Sequence, residues 1–234
     1  VGLQSIFAPM IATLIYLFIF SHVLEERAQA YPGVTYPVFL IPGLLMMAML
    51  QNSFANSSSS LIQSKISGSI VFVLLSPLSY MEVFVAYVLA SIVRGFLVGA
   101  GIYLVILIFF DMPLQSLSWV FIFALIGNGF LGVLGVIAAI WAEKFDQLAA
   151  FQNFVILPLT FLSGVFYTIH SLPPFWESIS RFNPFFYVID GFRYGFFGIS
   201  DVSPYFSLMI VGIGFLAVSW VTLRMLKIGY KLRQ

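Results

Sequence analysis

Hydrophobic residues run almost without interruption along this chain, and short polar or proline-rich stretches divide them into bilayer-length segments. About 20 apolar residues in a helix cross about 30 Å of hydrocarbon. The pattern therefore predicts six membrane-spanning helices. It shows neither an internal repeat nor a second domain, so we expect residues 1–234 to form one transmembrane domain. The predicted spans cover residues 6–22, 37–54, 81–110, 119–142, 149–169 and 205–226.

The composition supports an all-α, polytopic membrane protein embedded in the lipid bilayer. The chain is 61% hydrophobic and 8% charged, whereas a soluble domain carries about 25% charged residues. A net charge of +1 without a basic stripe argues against a nucleic-acid partner. No cysteine is present, and the sequence predicts no metal site. Because the sequence begins Val1-Gly2-Leu3, we expect the ordered part to start inside a longer chain.

The distribution of Lys and Arg predicts the orientation, since cytoplasmic loops of membrane proteins are enriched in these residues. With both termini in the cytoplasm, six basic residues fall on the inner side and three on the outer side. We therefore expect both termini to be cytoplasmic. The inner residues are Lys65, Lys144, Arg224, Lys227, Lys231 and Arg233, and the outer residues are Arg27, Arg181 and Arg193.

One segment on the predicted inner side, residues 55–80, is neither a short loop nor a span. A serine run leads to Lys65 and Gly68, and an apolar piece too short to span ends at Ser76-Pro77. This punctuation favours a short helix lying in the membrane plane at the inner surface. The alternative is a plain loop.

A second such segment, residues 170–204, lies on the predicted outer side and is aromatic and broken by prolines. Pro173 and Pro174 suit the first turn of a helix, and Asn183-Pro184 ends that helix and begins another. Two short apolar helices that dip into the outer leaflet would form an outer gate, in which Asp190 and Arg193 hold the second helix. The alternative is an inert interfacial hairpin.

Three polar residues fall inside predicted spans. Arg94 is a functional candidate because a charged group in lipid is costly, and a structural partner or snorkelling is the alternative. Asn128 and Asn153 are expected to form helix–helix hydrogen bonds.

Nucleotide-binding and catalytic motifs have simpler explanations here. Residues 127–132 match GxGxxG, but they lie inside a span, where small residues allow close helix packing. The sequence contains no GxxxxGK[ST], so these 234 residues hold no P-loop. Ser163 and His170 suggest an intramembrane hydrolase only weakly, because no independent base accompanies them. We expect the chain not to be an enzyme and to carry no cofactor.

Several stretches in order resemble the permease subunit of bacterial type-2 ABC exporters, the ABC-2 type transporter permease family. They are "YPVFLIPGLLMMAMLQNSFANSSSSL", "LLSPLS" and "NFVILPLTFLSGVFYTIHSLPPFWESISRFNPFFYVIDGFRYG". The resemblance covers essentially the whole chain, and its most specific part is residues 157–191.

The resemblance implies a homodimer, or a pair of related permeases, that binds two cytoplasmic ATPase subunits carrying ATP and Mg²⁺. It implies a coupling helix near residues 63–76 and a second ATPase contact at residues 142–147. Unlike many family members, this coupling segment has Lys65 as its one charged residue. The residues assigned to coupling are Gln63, Ser64, Lys65, Ile66, Ser67, Gly68, Glu143 and Lys144.

The expected function is that of an ATP-driven exporter subunit in the bacterial inner membrane. By resemblance, the pathway runs between two copies and is lined by the first, second and fifth spans. The expected cargo is amphiphilic: a lipid-linked glycan, a lipid or a hydrophobic drug. The alternatives are an ion-coupled secondary transporter, which would need several acidic groups at mid-bilayer, and an intramembrane enzyme.

Overall fold

The computed structural model describes residues 4–24 and 31–231, and these two ranges are helical without a named strand. A π turn (Gln152–Ile156) and a 3-10 turn (Ile169–Ser171) accompany ten α-helices. The α-helices are α1 (Gln4–Leu24), α2 (Tyr36–Ile66), α3 (Ile70–Leu75), α4 (Tyr80–Phe109), α5 (Leu117–Trp141), α6 (Phe145–Phe151), α7 (Leu157–Phe161), α8 (Pro174–Phe182), α9 (Pro184–Phe197) and α10 (Pro204–Ile228).

Four helices within the described residues are long and apolar enough to cross a bilayer: α2, α4, α5 and α10. They correspond to the second, third, fourth and sixth predicted spans. Helix α1 has 21 residues, but its apolar stretch, Phe7–Ile19, is shorter than these four. The all-helical membrane architecture is therefore confirmed, and the count of six spans remains a prediction.

Helices α2 and α5 pack against each other at the centre of the molecule, where small residues allow close approach. A Cβ atom at Gly135 of α5 would overlap Ser57 Oγ and lie 2.6 Å from the carbonyl oxygen of Phe54, both on α2. Helix α2 continues beyond residue 54, the end of the second predicted span, and reaches Ile66. Ser57 and Ser58 remain helical because their hydroxyls bond backbone carbonyls, which satisfies them away from water.

The fifth predicted span, residues 149–169, is not one continuous helix. Helical backbone runs from Phe145 to Phe161 and includes the π turn, and residues 162–168 are irregular. Pro158 explains the π turn, because it has no N–H and its ring crowds the carbonyl one turn earlier. Gly164 has a positive φ of 75°, which suits glycine and stops the helix from continuing.

Helix α9 runs alongside the half of α5 that begins at Leu117, which is the predicted outer half. Gly195 and Gly191 leave no room for a side chain against Val120 and Phe123 of α5, and the rings of Phe185 and Phe130 lie 6.0 Å apart. Phe130 is about 20 Å along α5 from Leu117, at about 1.5 Å per residue. Thus α9 covers about half the length of α5 and does not run along all of it.

Helices α8 and α9 differ in their burial, although the sequence predicted two similar short apolar helices. On α8, the side chains of Phe175 and Phe182 are 69% and 90% exposed. Helix α9 is buried along most of its length against α2, α5 and α10. The first short helix therefore lies on the surface, whereas the second belongs to the core.

Candidate functional site

Arg193 of α9 supports the irregular backbone that follows α7. Its side chain is buried, and its Nη2 donates hydrogen bonds to the carbonyl oxygens of Gly164 at 2.8 Å and Val165 at 3.4 Å. The guanidinium also lies 4.0 Å from the centre of the Phe39 ring. Irregular backbone at membrane depth requires such internal partners, so Arg193 allows residues 162–168 to pack inside the protein.

Asp190, one turn before Arg193, fixes α9 to the start of α10. Its Oδ1 accepts a hydrogen bond from Asp201 N at 2.8 Å, and its Oδ2 accepts one from Val202 N at 3.0 Å. Within the described residues, Asp190 and Arg193 do not form an ion pair with each other. Both side chains therefore connect α9 to other parts of the chain: Arg193 to residues 164–165, and Asp190 to residues 201–202.

Asp201 and two tyrosines complete this outer cluster, which we define as Tyr31, Tyr36, Asp190, Arg193 and Asp201. Asp201 Oδ1 accepts from the Tyr31 hydroxyl at 3.0 Å, and its Oδ2 accepts from the backbone N–H of residue 169 at 2.7 Å. Tyr36 donates to a backbone carbonyl of the same irregular stretch at 2.9 Å. Burial raises the pKa of Tyr31, so its hydroxyl stays protonated and donates.

Sequence reasoning did not identify Tyr31, Tyr36 or Asp201 as cluster members. A usable signal existed, because Asp190 and Asp201 are the two acidic residues in the otherwise apolar stretch 184–223. Buried carboxylates require hydrogen-bond donors, and that requirement would have directed attention to nearby N–H and tyrosine groups.

The predicted helix breaks of the outer segment are present. Pro174 is the first residue of α8, with Pro173 before it, and Pro184 is the first residue of α9. Asn183 caps α9 by accepting from the backbone N–H of Phe185 at 3.0 Å, and its Nδ2 donates to a backbone carbonyl of α7 at 2.6 Å. The break therefore joins three helices, while its role as a gate remains a prediction.

A polar seam joins α2, α4 and α5 at the level of Asn128. Ser53 Oγ lies 2.7 Å from Asn128 Oδ1 and 2.9 Å from the carbonyl oxygen of Ser91. The helix–helix hydrogen bond expected of Asn128 is therefore present. Asn153 lies in the π turn with its side chain exposed, and it makes no such bond within the described chain.

Arg94 of α4 reaches α2. Its Nη1 donates to Asn56 Oδ1 at 3.1 Å, and its Nε is buried without a hydrogen-bond partner. Among the residues that the structure describes, no carboxylate pairs with Arg94. The side chain is half-buried, so it remains accessible to a molecule from outside the chain.

On the predicted inner side, Lys65 caps the end of α5. Its Nζ donates to the carbonyl oxygens of Ala139, Ile140 and Ala142 at 3.0, 2.9 and 2.6 Å. The last carbonyls of a helix lack partners within the helix and carry partial negative charge. Lys65 therefore fixes the predicted coupling segment to the α5–α6 connection.

The predicted in-plane helix is shorter than expected. Gln63, Ser64, Lys65 and Ile66 belong to the last turn of α2, and only residues 70–75 form a separate helix. Gly68 causes the break, because its φ of 74° does not fit a right-handed helix. Gln63, Ile66, Ser67 and Gly68 are exposed at this corner.

The second predicted ATPase contact lies against the first. Glu143 forms an ion pair with Lys231 at 2.8 Å, and Lys144 is exposed just before α6. The hydrogen bond from Lys231 and its positive charge lower the pKa of Glu143. The same hydrogen bond and the negative charge of Glu143 raise the pKa of Lys231. Residues 63–68, residues 142–144 and Lys231 thus form one surface, which we call the inner platform.

Together, the bilayer-length helices, the half-penetrating α9 and the polar inner platform define a multi-pass membrane protein of the permease type. The sequence model of the ABC-2 type transporter family matches residues 1–197. The chain therefore belongs to the ABC-2 type transporter family, which confirms the resemblance. It is the membrane subunit of an ABC transporter, and this family works with a partner ABC ATPase.

Curated relatives agree with this assignment. The chain is 34% identical to the inner membrane transport permease YadH of Escherichia coli K12 over 225 residues, covering 94% of this chain and 87% of the relative. It is 25% identical over 195 residues to nodulation protein J of Rhizobium meliloti, with 82% and 74% coverage. The corresponding protein of Rhizobium leguminosarum bv. trifolii is 26% identical over 194 residues, again with 82% and 74% coverage.

Proposed function

We propose that this chain is the membrane subunit of an ATP-driven exporter that moves an amphiphilic molecule outward across the bacterial inner membrane. The location follows that of the YadH permease, whose name places it in an inner membrane. The cargo class is a lipid-linked glycan, a lipid or a hydrophobic drug. Both termini lie in the cytoplasm, consistent with the excess of basic residues on the inner side.

The observation that carries the proposal is the convergence of residues 63–68 and 142–144 on the inner platform. Because the 234 residues contain no P-loop motif, ATP and Mg²⁺ bind to a separate ATPase. Two ATPase copies dock on two inner platforms and close on ATP. Lys65 transmits their movement to α5, since its three hydrogen bonds join the end of α2 to the end of α5.

The pathway lies between two copies of the permease. Its wall includes the π turn, where Phe154 is 81% exposed beside Asn153. A π turn in an otherwise α-helical segment often marks a functional site. An exposed amide next to an exposed aromatic ring offers both polar and apolar contacts to an amphiphile.

The outer gate consists of α8, α9 and the irregular stretch 162–168. Helix α9 begins near mid-membrane at the Asn183 cap, so movement there changes the packing of three helices together. The outer cluster keeps this assembly closed at rest, and transport requires its rearrangement.

Reconstitution of the permease with its ATPase tests the proposal. Proteoliposomes should show outward movement of fluorescent amphiphiles only with hydrolysable ATP and with both subunits present. Cysteine is absent from the chain, so single Ser67→Cys and Ser178→Cys variants also report orientation. We expect an impermeant maleimide to label Ser178→Cys from outside and Ser67→Cys only after the inner face becomes accessible. Transport that persists without ATP, or the reverse labelling, would contradict the proposal.

A further inference from the structure

Arg94 has a coordination unlike that of the other described arginines. Arg193 bonds carbonyls and covers an aromatic ring, Arg181 pairs with Glu177, and Arg224 lies 4.2 Å from the centre of the Trp220 ring. Arg94 has one hydrogen bond, to a neutral amide, and its Nε, like that of Arg193, is buried without a hydrogen-bond partner. A guanidinium with spare donors in a dry environment is suited to bind an anion with several acceptor oxygens.

The position of Arg94 restricts the kind of anion that can reach it. Arg94 lies about 20 Å along a helix of about 45 Å, near the middle of α4. Side chains on the adjoining face of α4 are apolar and exposed: Leu89, Val93 and Leu97 are 54–57% exposed. A soluble anion would have to leave water to arrive there, whereas a molecule with an anionic head and an apolar tail arrives from the bilayer.

Amide groups on α2 extend the polar surface beside Arg94. Asn52 lies one helical turn from Asn56, and both are half-buried. A cavity of about 60 Å³ between α1 and α2 is lined by Thr13, Gln51 and Asn52, and Gln51 Nε2 is buried without a hydrogen-bond partner. Further unsatisfied hydrogen-bonding capacity therefore lies on the helix that Arg94 contacts.

We propose that Arg94 and Asn56 form an intramembrane binding site for the phosphate head of an anionic amphiphile that enters from the bilayer along the exposed apolar face of α4. Asn56 holds the guanidinium in place and leaves the remaining N–H groups for phosphate oxygens. This assignment rests on the proposed function in one respect: if the bound amphiphile is cargo, the site selects phosphate-bearing cargo. The same head-group chemistry could belong to an ordinary phospholipid that stays bound.

Lipid retention measured by native mass spectrometry tests the site. The full chain, co-purified with its ATPase, is exchanged into mixtures of phosphatidylglycerol and phosphatidylcholine. Wild type should retain phosphatidylglycerol preferentially, and Arg94→Gln should lower that retention about tenfold or more, as expected for charge-assisted hydrogen bonds. Arg94→Lys should retain an intermediate amount, because it keeps the charge but loses the planar donor set. Arg224→Gln, which removes another arginine near a predicted interface, is the matched control and should leave retention unchanged.

The Asn56→Asp variant tests the same site while Arg94 stays in place. The new carboxylate would pair with Arg94 and compete with phosphate, so retention should fall while thermal stability is kept or rises. Equal retention of both lipids by wild type, or wild-type retention in both Arg94→Gln and Asn56→Asp, would overturn the proposal. Displacement by excess inorganic phosphate would overturn the requirement for an apolar tail.

ATPase activity separates cargo from resident lipid. Stimulation of ATP hydrolysis by phosphatidylglycerol in wild type, and its loss in Asn56→Asp, supports a cargo site. Retention without stimulation overturns the cargo assignment and supports a resident lipid at the same site. Absence of ATP-driven transport of any amphiphile would refute the proposed function, and lipid retention would still decide whether the anion site exists.

Discussion

Replacing Arg193 by Met tests whether the outer cluster holds the irregular stretch 162–168. The change leaves the carbonyls of Gly164 and Val165 without their donor, at about 1–3 kcal/mol for each buried unsatisfied group. It also removes a desolvated cation–π contact with Phe39 worth about 2 kcal/mol. The neutral Met side chain also avoids the desolvation penalty of a buried charge, which is several kcal/mol, and this offsets part of the loss in stability. We expect a net destabilisation of about 2–4 kcal/mol.

Two measurements check this expectation. The Tm of the purified permease should fall on the order of 5–10 °C, given about 2–4 °C per kcal/mol for a chain of this size. Amide hydrogen exchange should increase selectively in residues 162–171, because opening of that stretch becomes easier. Arg181→Met is the control: its exposed pair with Glu177 contributes about 0.3–0.5 kcal/mol, so neither readout should change measurably. If amide exchange in residues 162–171 is unchanged in Arg193→Met, Arg193 does not hold the irregular stretch in place.

Three further predictions follow from the described contacts. Changing Asn183 and Pro184 together to Ala should remove a cap worth about 1 kcal/mol and block transport, while dimerisation and ATPase binding persist; normal transport in proteoliposomes would leave α8 and α9 as an inert hairpin. Lys65→Met should weaken ATPase capture in a pull-down because α5 loses its cap, whereas Lys65→Arg should preserve capture; equal capture by both variants and wild type would contradict a role in coupling. Gly95→Ala should lower stability by about 1–3 kcal/mol through overpacking against Asn128, whereas Gly212→Ala, which has open space, should be neutral or stabilising in the same thermal assay.

The sequence predicted the elements that depend on hydrophobic length and on proline. Long apolar runs became α2, α4, α5 and α10, and the Asn183-Pro184 break lies where the pattern placed it. These features are local, because a proline interrupts helical hydrogen bonding wherever it stands. Gly68, by contrast, was placed inside the predicted coupling helix, and its positive φ separates α2 from α3 instead.

The errors arose where tertiary contacts override local pattern. The second predicted span ends at residue 54, before the serine run. Ser57 nevertheless lies within α2 and donates to the Gly132 carbonyl of α5 at 2.7 Å, which makes a polar side chain suitable inside the bundle. Residues 162–168 were read as helix because they are apolar, yet Arg193 supplies the donor that irregular backbone needs. Neither partner is close in sequence, so a one-dimensional pattern contains no direct signal of these pairings.

For the candidate site, the sequence indicated some of the charged residues but not the groups that they bond. The sequence singled out Lys65 as the one charged residue of the coupling segment that the resemblance implies, and Arg193 as a basic residue one turn from Asp190. Their partners could not be identified, because those partners are backbone carbonyls, which every residue carries. The tyrosines of the outer cluster were missed for a related reason: tyrosine is common at membrane interfaces, and only the fold shows which hydroxyls reach a buried carboxylate.

Cross-linking from the inner platform to the ATPase tests whether this surface couples the permease to ATP hydrolysis. A Ser67→Cys permease, otherwise free of cysteine, is treated with a short bifunctional maleimide-to-amine reagent in membranes that contain the ATPase. We expect a permease–ATPase product from Ser67→Cys that changes in yield when ATP is added, and no such product from Ser178→Cys on α8. A product from Ser178→Cys, with none from Ser67→Cys, would contradict the claim that this surface couples the permease to ATP hydrolysis.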